Sequence, residues 1–518
     1  MPTEQPLLET FADLLKQIAL FKDRPALTDA SDGATLSFSQ LHSLIHDLLK
    51  KLPADIPTGA RVLLYDLNPL DWVALFFASA LRGWVAVPLD IRVSADFMRS
   101  VEELTAPALI ITGDKSALTS NHRILKISAL KKASYTYSNR ENLADPDAPV
   151  EILFTSGTWA RPKGVVLSQR NILANVQQVL AVYHHKTEDI SLAVLPLSHA
   201  YQQTVGLLLP LLVGSQTVFL TRLSSEALTT ALRKYRVRTM LTVPRVLSLI
   251  ESALLRKIGS HRTRKYAATL IRSLRFLPRP LRRILLAPVH KKIGRDLNTL
   301  VVGGAPLSLE LDHFFQGLGY NVVVGYGASE CAPVISISFN QKRVAGEIGV
   351  PLPRVTLELN DKAELQVKGK NVFLGYWPNV TRPAVFNTED VVVVNSTGSY
   401  VLKGRTKNLI IYPSGDKIFC EDIEQIANQI PGVEDCCVVS IPSNGSIQLH
   451  GAIKGESKLK GNEESIKQSV NKHLPFGIRL DRVIFLEQKD FPYTHTLKAN
   501  RQKVQALCVT TASASLPN

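Results

Sequence analysis

Three hydroxyls, one glycine and one ammonium fall within nine residues of this chain: Thr155, Ser156, Gly157, Thr158 and Lys163, in the run FTSGTWARPKGV. A short apolar stretch (Val150, Ile152, Leu153) precedes the run, and a helix-like segment beginning near Ser168 follows it. A small loop of this kind can present backbone N–H groups, hydroxyls and one cation to phosphate oxygens. The spacing is not that of a GxxxxGK[ST] loop, because Gly164 follows Lys163 where Ser or Thr is required. The same composition also describes an ordinary polar turn, and the loop by itself leaves both readings open.

Two further glycine clusters stand where strands are expected to end: Gly303, Gly304, Ala305 and Pro306 after 299–302, then Gly325, Tyr326, Gly327, Ala328, Ser329 and Glu330. Glycines just past strand ends let a ligand approach the backbone closely. Taken singly, the polar residues nearby have plain readings. Glu330 suits a helix start, Asp390 a turn, Lys498 a solvated surface, and His199 a core position in an apolar neighbourhood.

Strands alternating with helices must carry these groups. Residues 7–21 read as helix, 35–38 as a strand, and 39–52 as an amphipathic helix with Ser39 at its N-cap. Buried-strand patterns recur at 61–65, 84–89 and 108–112, with a helix at 70–81. Beyond the Lys163 loop, strands are expected at 192–195, 216–220, 239–243 and 299–302. The alternation argues for an α/β fold of layered, largely parallel αβα subdomains. From residue 346 the pattern changes to short β segments (347–350, 355–359, 364–367, 400–402), a small β-barrel or distorted sheet. Past Gly404 a compact α+β unit restarts, with strands at 409–412, 436–441, 448–453 and 481–486 and helices at 421–429 and 463–473. We therefore place an N-terminal domain at 1–404, a small C-terminal domain at 405–509 and a flexible tail at 510–518.

At 518 residues the chain exceeds one ordinary core. An apolar share of 45% and a charged share of 20% exclude a disordered protein. Cys331, Cys420, Cys436, Cys437 and Cys508 show no CxxC spacing, so reduced thiols are expected and a metal frame is not. The start, MPTEQPLLETF, carries acids and no basic-then-apolar leader. No apolar run approaches the roughly 20 residues of a bilayer span, and the best, 205–213, is interrupted by Pro210. The expected location is the cytoplasm. The formal charge of +15 is concentrated, because thirteen Arg and Lys and no acid stand between Glu251 and Asp296. Segment 252–295 mixes those cations with Leu, Ile and Phe at helical spacing. Peripheral contact with an anionic inner membrane face is one reading. A solvated basic face on helices broken by Pro278 and Pro280 is the other. Nucleic acid is not an expected partner, since no recognised module accompanies the charge.

Six blocks in order (the Thr155–Lys163 loop, VVGGAPL, GYGASE, GEIGVPLPRV with GKNVFLGY, GRTKNLIIYPSGDKIFCEDIE and PYTHTLKANR) resemble the adenylate-forming enzymes over nearly the whole chain. These are the acyl-CoA synthetases, luciferases and peptide-synthetase adenylation domains. The run LPLSHAYQQTVGLLLPLLVG and the long basic insert look most similar to long-chain fatty acyl-CoA synthetases.

The resemblance implies ATP, Mg²⁺ and CoA. A carboxylate attacks the α-phosphorus, pyrophosphate leaves, and a thiol then displaces AMP to give a thioester. It implies that Lys498 bridges carboxylate and α-phosphate, that Glu330 holds Mg²⁺, and that Tyr326 stacks on adenine. Ser329 stands where Thr is usual for the α-phosphate. Thr155, Ser156, Gly157, Thr158 and Lys163 form the phosphate loop, and Gly303, Gly304, Ala305, Pro306, Gly325 and Gly327 form the adenine side. Asp390 and Arg405 are placed at the ribose, Lys407 at a hinge about which the carboxyl lobe turns, and His199 at the acyl or pantetheine channel. The acid implied is a long-chain fatty acid. The alternatives are an acyl-AMP ligase, an acyl-carrier-protein synthetase, and a degenerate member that only binds ligand. Five positions depart from the pattern: Trp159-Ala160 where Thr-Gly is usual, Glu389 and Leu497 in place of Gly, and Cys420 in place of Pro.

Overall fold

Val62, Leu63 and Leu64 are fully buried in strand Arg61–Tyr65, as expected for a strand covered on both faces. The computed structural model describes residues 8–133, 145–155, 162–258, 261–411, 417–443, 446–475, 478–487, 490–493 and 499–513. The chain divides into two units. The first comprises Met1–Glu358, Gln366–Phe386 and Asn395–Val401, and the second Leu359–Leu365, Asn387–Val394 and Leu402–Asn518.

The first unit is a layered α/β structure. One sheet runs in the order Gly375–Trp377, Lys163–Ser168, Pro149–Thr155, Val85–Leu89, Arg61–Tyr65, Leu109–Thr112, Ile124–Lys126. The strands from Pro149–Thr155 onward are parallel, and the first two are antiparallel additions. A second sheet places Glu347–Pro351, Val334–Ser338, Asn321–Gly327, Thr299–Val302, Thr239–Thr242, Ile190–Ala193, Gln216–Phe219, Pro25–Asp29 and Thr35–Ser37 side by side. Helix Pro69–Leu81 starts at an Asn68 cap and is buried on nearly every side, which its all-round apolar sequence requires.

Several expectations are corrected. The second helix is Phe38–Lys51, and its N-cap is Ser37, not Ser39. Ser37 accepts the Gln40 N–H while the Gln40 side chain reaches back to the Ser37 N–H, a reciprocal box that Ser39, inside the first turn, cannot make. Lys163 opens an antiparallel strand, Lys163–Ser168, rather than lying within a loop. Residues 200–213, whose apolar run contains Pro210, form continuous helical turns by way of a π-turn, Thr204–Leu208. Pro210 has no N–H to offer the Gly206 carbonyl, and the Thr217 hydroxyl donates to that oxygen at 3.0 Å instead.

In the second unit, Val433–Ser443 and Ser446–Gly455 form a hairpin, and Arg482–Phe485 runs parallel to the latter. Cys436 and Val438 face one apolar cluster with Ile423 and Ile466, while Cys437 and Val439 face another with Val504 and Cys508. Strand alternation thus turns the adjacent cysteines to opposite faces, and all five cysteines are buried free thiols. The last helix, Arg501–Ser513, runs past residue 509, where the sequence reads as a frayed tail. Val504 and Cys508, one turn apart and both fully buried, hold it down. Among the described residues, no helix is long and apolar enough to cross a membrane.

Candidate active site

The hairpin of Pro149–Thr155 and Lys163–Ser168 supplies the base of the candidate phosphate loop, and Thr155 pairs with Lys163 across it. Ser156, Gly157, Thr158, Trp159 and Ala160, and the Thr155 side chain, lie outside the described residues. Behind the hairpin, Ser168 caps helix Gln169–Leu180 in a reciprocal box with Asn171. The Asn171 amide donates to the carbonyls of Lys370 and Val372 at 2.7 and 2.8 Å. Asn371 in turn donates to the Cys331 carbonyl at 3.0 Å, and the Phe373 N–H to the Glu330 carbonyl at 2.9 Å. The segment 369–377 is therefore stitched to the helix, to the hairpin and to the Glu330 turn.

That stitching places Tyr376. Its hydroxyl donates to Glu330 Oε1 at 2.8 Å, and Lys163 Nζ lies 5.2 Å from the centre of its ring. One aromatic side chain thus touches the loop's ammonium on its face and the acid at its tip, a cation–π contact and a charge-assisted hydrogen bond. Glu330 and Ser329 sit in a single 3₁₀ turn, Ser329–Cys331, past strand Asn321–Gly327. Tyr326 is half-buried on that strand opposite Ser336. A Cβ at Gly327 would stand 1.9 Å from the Pro333 carbonyl oxygen, so the turn admits only glycine. Gly325 lies on the same strand.

Gly303, Gly304, Ala305 and Pro306 follow strand Thr299–Val302 and precede helix Leu309–Gly317. Gly304 has φ +80°, the left-handed region that favours glycine. The Tyr201 ring lies over Gly303, and its hydroxyl donates to the Val301 carbonyl at 2.9 Å. Burial, and then the nearby Tyr183, push that phenol's pKa up.

His199 is half-buried and directly precedes helix Ala200–Gln203. Asp90 is close enough to feel it. Burial opposes ionisation of Asp90, but hydrogen bonds from the Arg92 guanidinium and N–H hold its carboxyl below the usual range, with His199 helping. Beneath this turn Gln203 Nε2 donates to Glu151 Oε1 at 2.6 Å and to the Leu197 carbonyl at 2.8 Å. Glu151, in the strand that leads to the loop, is fully buried, and burial pushes its carboxyl up to about 8 against a smaller lowering by Gln203.

In the second unit, Arg405 Nε donates to Asp390 Oδ1 at 2.8 Å; Asp390 is buried and Arg405 nearly half exposed. Glu389 adopts φ +59°, the left-handed region that favours glycine. Lys407 lies in the 3₁₀ turn Thr406–Asn408. Lys498 and Leu497 fall outside the described residues, but Tyr493 and Ala499, which flank 494–498, form an antiparallel bridge. Next to it Arg501 is ion-paired with Glu424 at 2.6 Å. Sequence reasoning assigned no role to Tyr376, Tyr201, Gln203, Glu151 or Asp90. Only Glu151 left a local signal, an acid inside the apolar run VEILF.

A family model described as AMP-binding enzyme matches residues 14–377. The chain belongs to that family. Among its relatives, a feruloyl-CoA synthase of an Amycolatopsis species is 26% identical over 447 residues, covering 79% of this chain and 81% of that one. A long-chain-fatty-acid–CoA ligase of Mycobacterium tuberculosis is 25% identical over 434 residues, covering 74% and 71%. The fold is that of ATP-bound MatB from Rhodopseudomonas palustris (TM-score 0.77, 18% identity, 95% and 98% of the two chains). It is also that of a Mycobacterium tuberculosis fatty acyl CoA synthetase (TM-score 0.71, 19% identity, 97% and 99%). Family and relatives together support AMP-forming acid–CoA ligase chemistry, and the relatives' names differ in the acid.

Among the described residues no group of three or more His, Cys, Asp or Glu gathers into a metal cage. A lone carboxylate, Glu330, with one oxygen held by Tyr376, instead fits a Mg²⁺ that takes its remaining ligands from phosphates and water.

Proposed function

We propose that this AMP-binding enzyme activates a long-chain fatty acid with ATP and passes the acyl group to CoA. A carboxylate oxygen bonds to the α-phosphorus as pyrophosphate leaves. The thiol sulfur of CoA then bonds to the acyl carbon, AMP leaves, and the thiol proton goes to solvent. The Lys163–Tyr376–Glu330 contact set carries the reading, because it fixes a cation and an acid around one ring at the base of the loop. Lys163 offsets phosphate charge. Glu330 would hold Mg²⁺, which when bound neutralises charge on the phosphates. Tyr326 offers a ring to adenine, Ser329 a hydroxyl to the α-phosphate, and the Gly303–Pro306 loop its backbone. Ser156, Gly157 and Thr158 carry the rest of the phosphate loop, and His199 the acyl or pantetheine channel. Asp390 and Arg405 carry the ribose assignment, Lys407 the hinge, and Lys498 the approach of carboxylate to phosphate. The division at 404/405 belongs to the same reading.

Similarity to long-chain ligases and the length of the basic insert support the fatty acid. A second reading, a member that binds ligand without turnover, is favoured by Glu389 at φ +59° beside Asp390. Hydroxamate trapping of acyl-AMP, with and without CoA and over carboxylates of rising length, separates the readings. The proposal requires trapped adenylate that peaks with long chains and is consumed when CoA is added. Trapping that CoA does not diminish indicates an acyl-AMP ligase or a carrier-protein enzyme, and no trapping with any acid indicates the binding-only member.

A further inference from the structure

The helical insert between Glu251 and Asp296 has two faces of different chemistry. On the inner face, Ala268, His290 and Ile293 are buried, and Ile271, Leu286 and Val289 pack on the apolar cluster beneath. The arginines on this side are consumed as anchors. Arg272 donates to the Glu310 carbonyl at 3.1 Å and pairs with Glu251 at 3.1 Å. Arg279 donates to the carbonyls of Gly319 and Asn298 at 2.9 Å each, and Arg283 to those of Leu297 and Arg295 at 3.0 and 2.8 Å. The insert is thus fixed to the body of the first unit by its own cations.

The outer face is different. Tyr266 and Leu270, one turn apart on helix His261–Ser273, are 64% and 65% exposed. Phe276 in the following turn is 78% exposed, and Ile284 on helix Arg279–Leu285 is 70% exposed. Arg256, Arg262, Lys265, Lys291, Lys292 and Arg295 are exposed among them, with no acid anywhere in 252–295. Large apolar side chains that a fold leaves in water mark a contact surface. Cations interleaved with them specify an occupant that is apolar inside and anionic outside.

We infer that this outer face docks the protein on an anionic lipid bilayer, with Phe276, Leu270 and Ile284 entering the acyl boundary while the Lys and Arg heads stay at the phosphates. A second copy of the chain is disfavoured, since an all-cationic face repels itself. Nucleic acid meets the charge but offers nothing to the aliphatic side chains. The inference goes beyond the proposed reaction and does not depend on it.

The test is co-sedimentation of the full chain with phosphatidylcholine vesicles, with and without phosphatidylglycerol, at low and high salt. Binding is expected to need the anionic lipid and to weaken with salt. Reversing Arg262, Lys265, Lys291 and Lys292 to Glu should lower partitioning more than tenfold. Phe276→Ser alone should weaken it while leaving the thermal transition in place, which keeps the test valid if the fourfold variant fails to fold. Phe276→Trp should add emission that shifts to the blue on vesicles and is quenched by lipids brominated on their chains. Equal binding to neutral vesicles, an unquenched Trp at 276, equal binding to duplex DNA, or a dimer that Phe276→Ser dissociates would each overturn the inference.

Discussion

The Tyr376 hydroxyl donates to Glu330 Oε1 at 2.8 Å, across 46 residues of sequence. Tyr376 is a positioning residue, because it orients the acid and lies beside the Lys163 ammonium without being assigned to any reacting atom. Tyr376→Phe keeps the ring and its packing on Phe373 but removes the bond. Losing a hydrogen bond to a charged group costs about 1.5–3 kcal/mol, so kcat/KM should fall about tenfold to a hundredfold. A merely structural role leaves the Mg²⁺ concentration for half-maximal rate unchanged; a positioning role raises it.

Glu151 is the buried acid that stability should report. Its folded pKa, about 8, is raised above the ordinary 4.5, so between these values the folded chain keeps a proton that the unfolded chain loses. Its contribution is fully present below about pH 4.5 and is lost as pH rises through 8. The span corresponds to a contribution on the order of 5 kcal/mol. Glu151→Gln keeps an oxygen for Gln203 and removes the titration. The difference in stability, variant minus parent, should rise from pH 5 to pH 9 in denaturant titrations. A flat difference means that Glu151 is already ionised in the fold.

Glu389 occupies the left-handed region at φ +59°, where the family's pattern has glycine. Relief of that conformation, worth about 1–2 kcal/mol, is partly offset by about 0.5–1 kcal/mol of glycine's extra chain entropy. Glu389→Gly should therefore leave stability unchanged or raise it by up to about 1.5 kcal/mol, read as the urea midpoint. A midpoint that moves clearly down shows that the Glu389 side chain makes a contact worth more than the strain.

For Lys498 the partial reactions are diagnostic. Lys498→Ala should abolish acyl-AMP formation yet leave supplied acyl-AMP able to react with CoA. Equal loss of both half-reactions removes the assignment.

Strands 61–65, 216–219, 239–242 and 299–302 were legible because buried parallel strands are short runs rich in apolar and β-branched residues, without strict polar alternation. The motif blocks stand out as ordered sequence, and the structure sets Ser329 and Glu330 in a 3₁₀ turn past strand Asn321–Gly327. The return strand Lys163–Ser168 was not legible, since it opens with a cation and a glycine and takes its pairing from across the hairpin. Ser37 and Ser39 stand two residues apart, and only the reciprocal bond with Gln40 decides between them as the cap. Tyr376, Tyr201 and the Gln203–Glu151 pair were hidden for one reason. Each is defined by a partner 46 to 100 residues away, and no local period encodes that.

The central claim is ATP-driven activation of a carboxylate, and pyrophosphate release reads it most directly. Purified protein given ATP, Mg²⁺ and a long-chain fatty acid should liberate pyrophosphate in amounts that depend on the acid, and should turn over continuously once CoA is added. No acid-dependent pyrophosphate with fatty, aromatic or short-chain carboxylates would contradict the account.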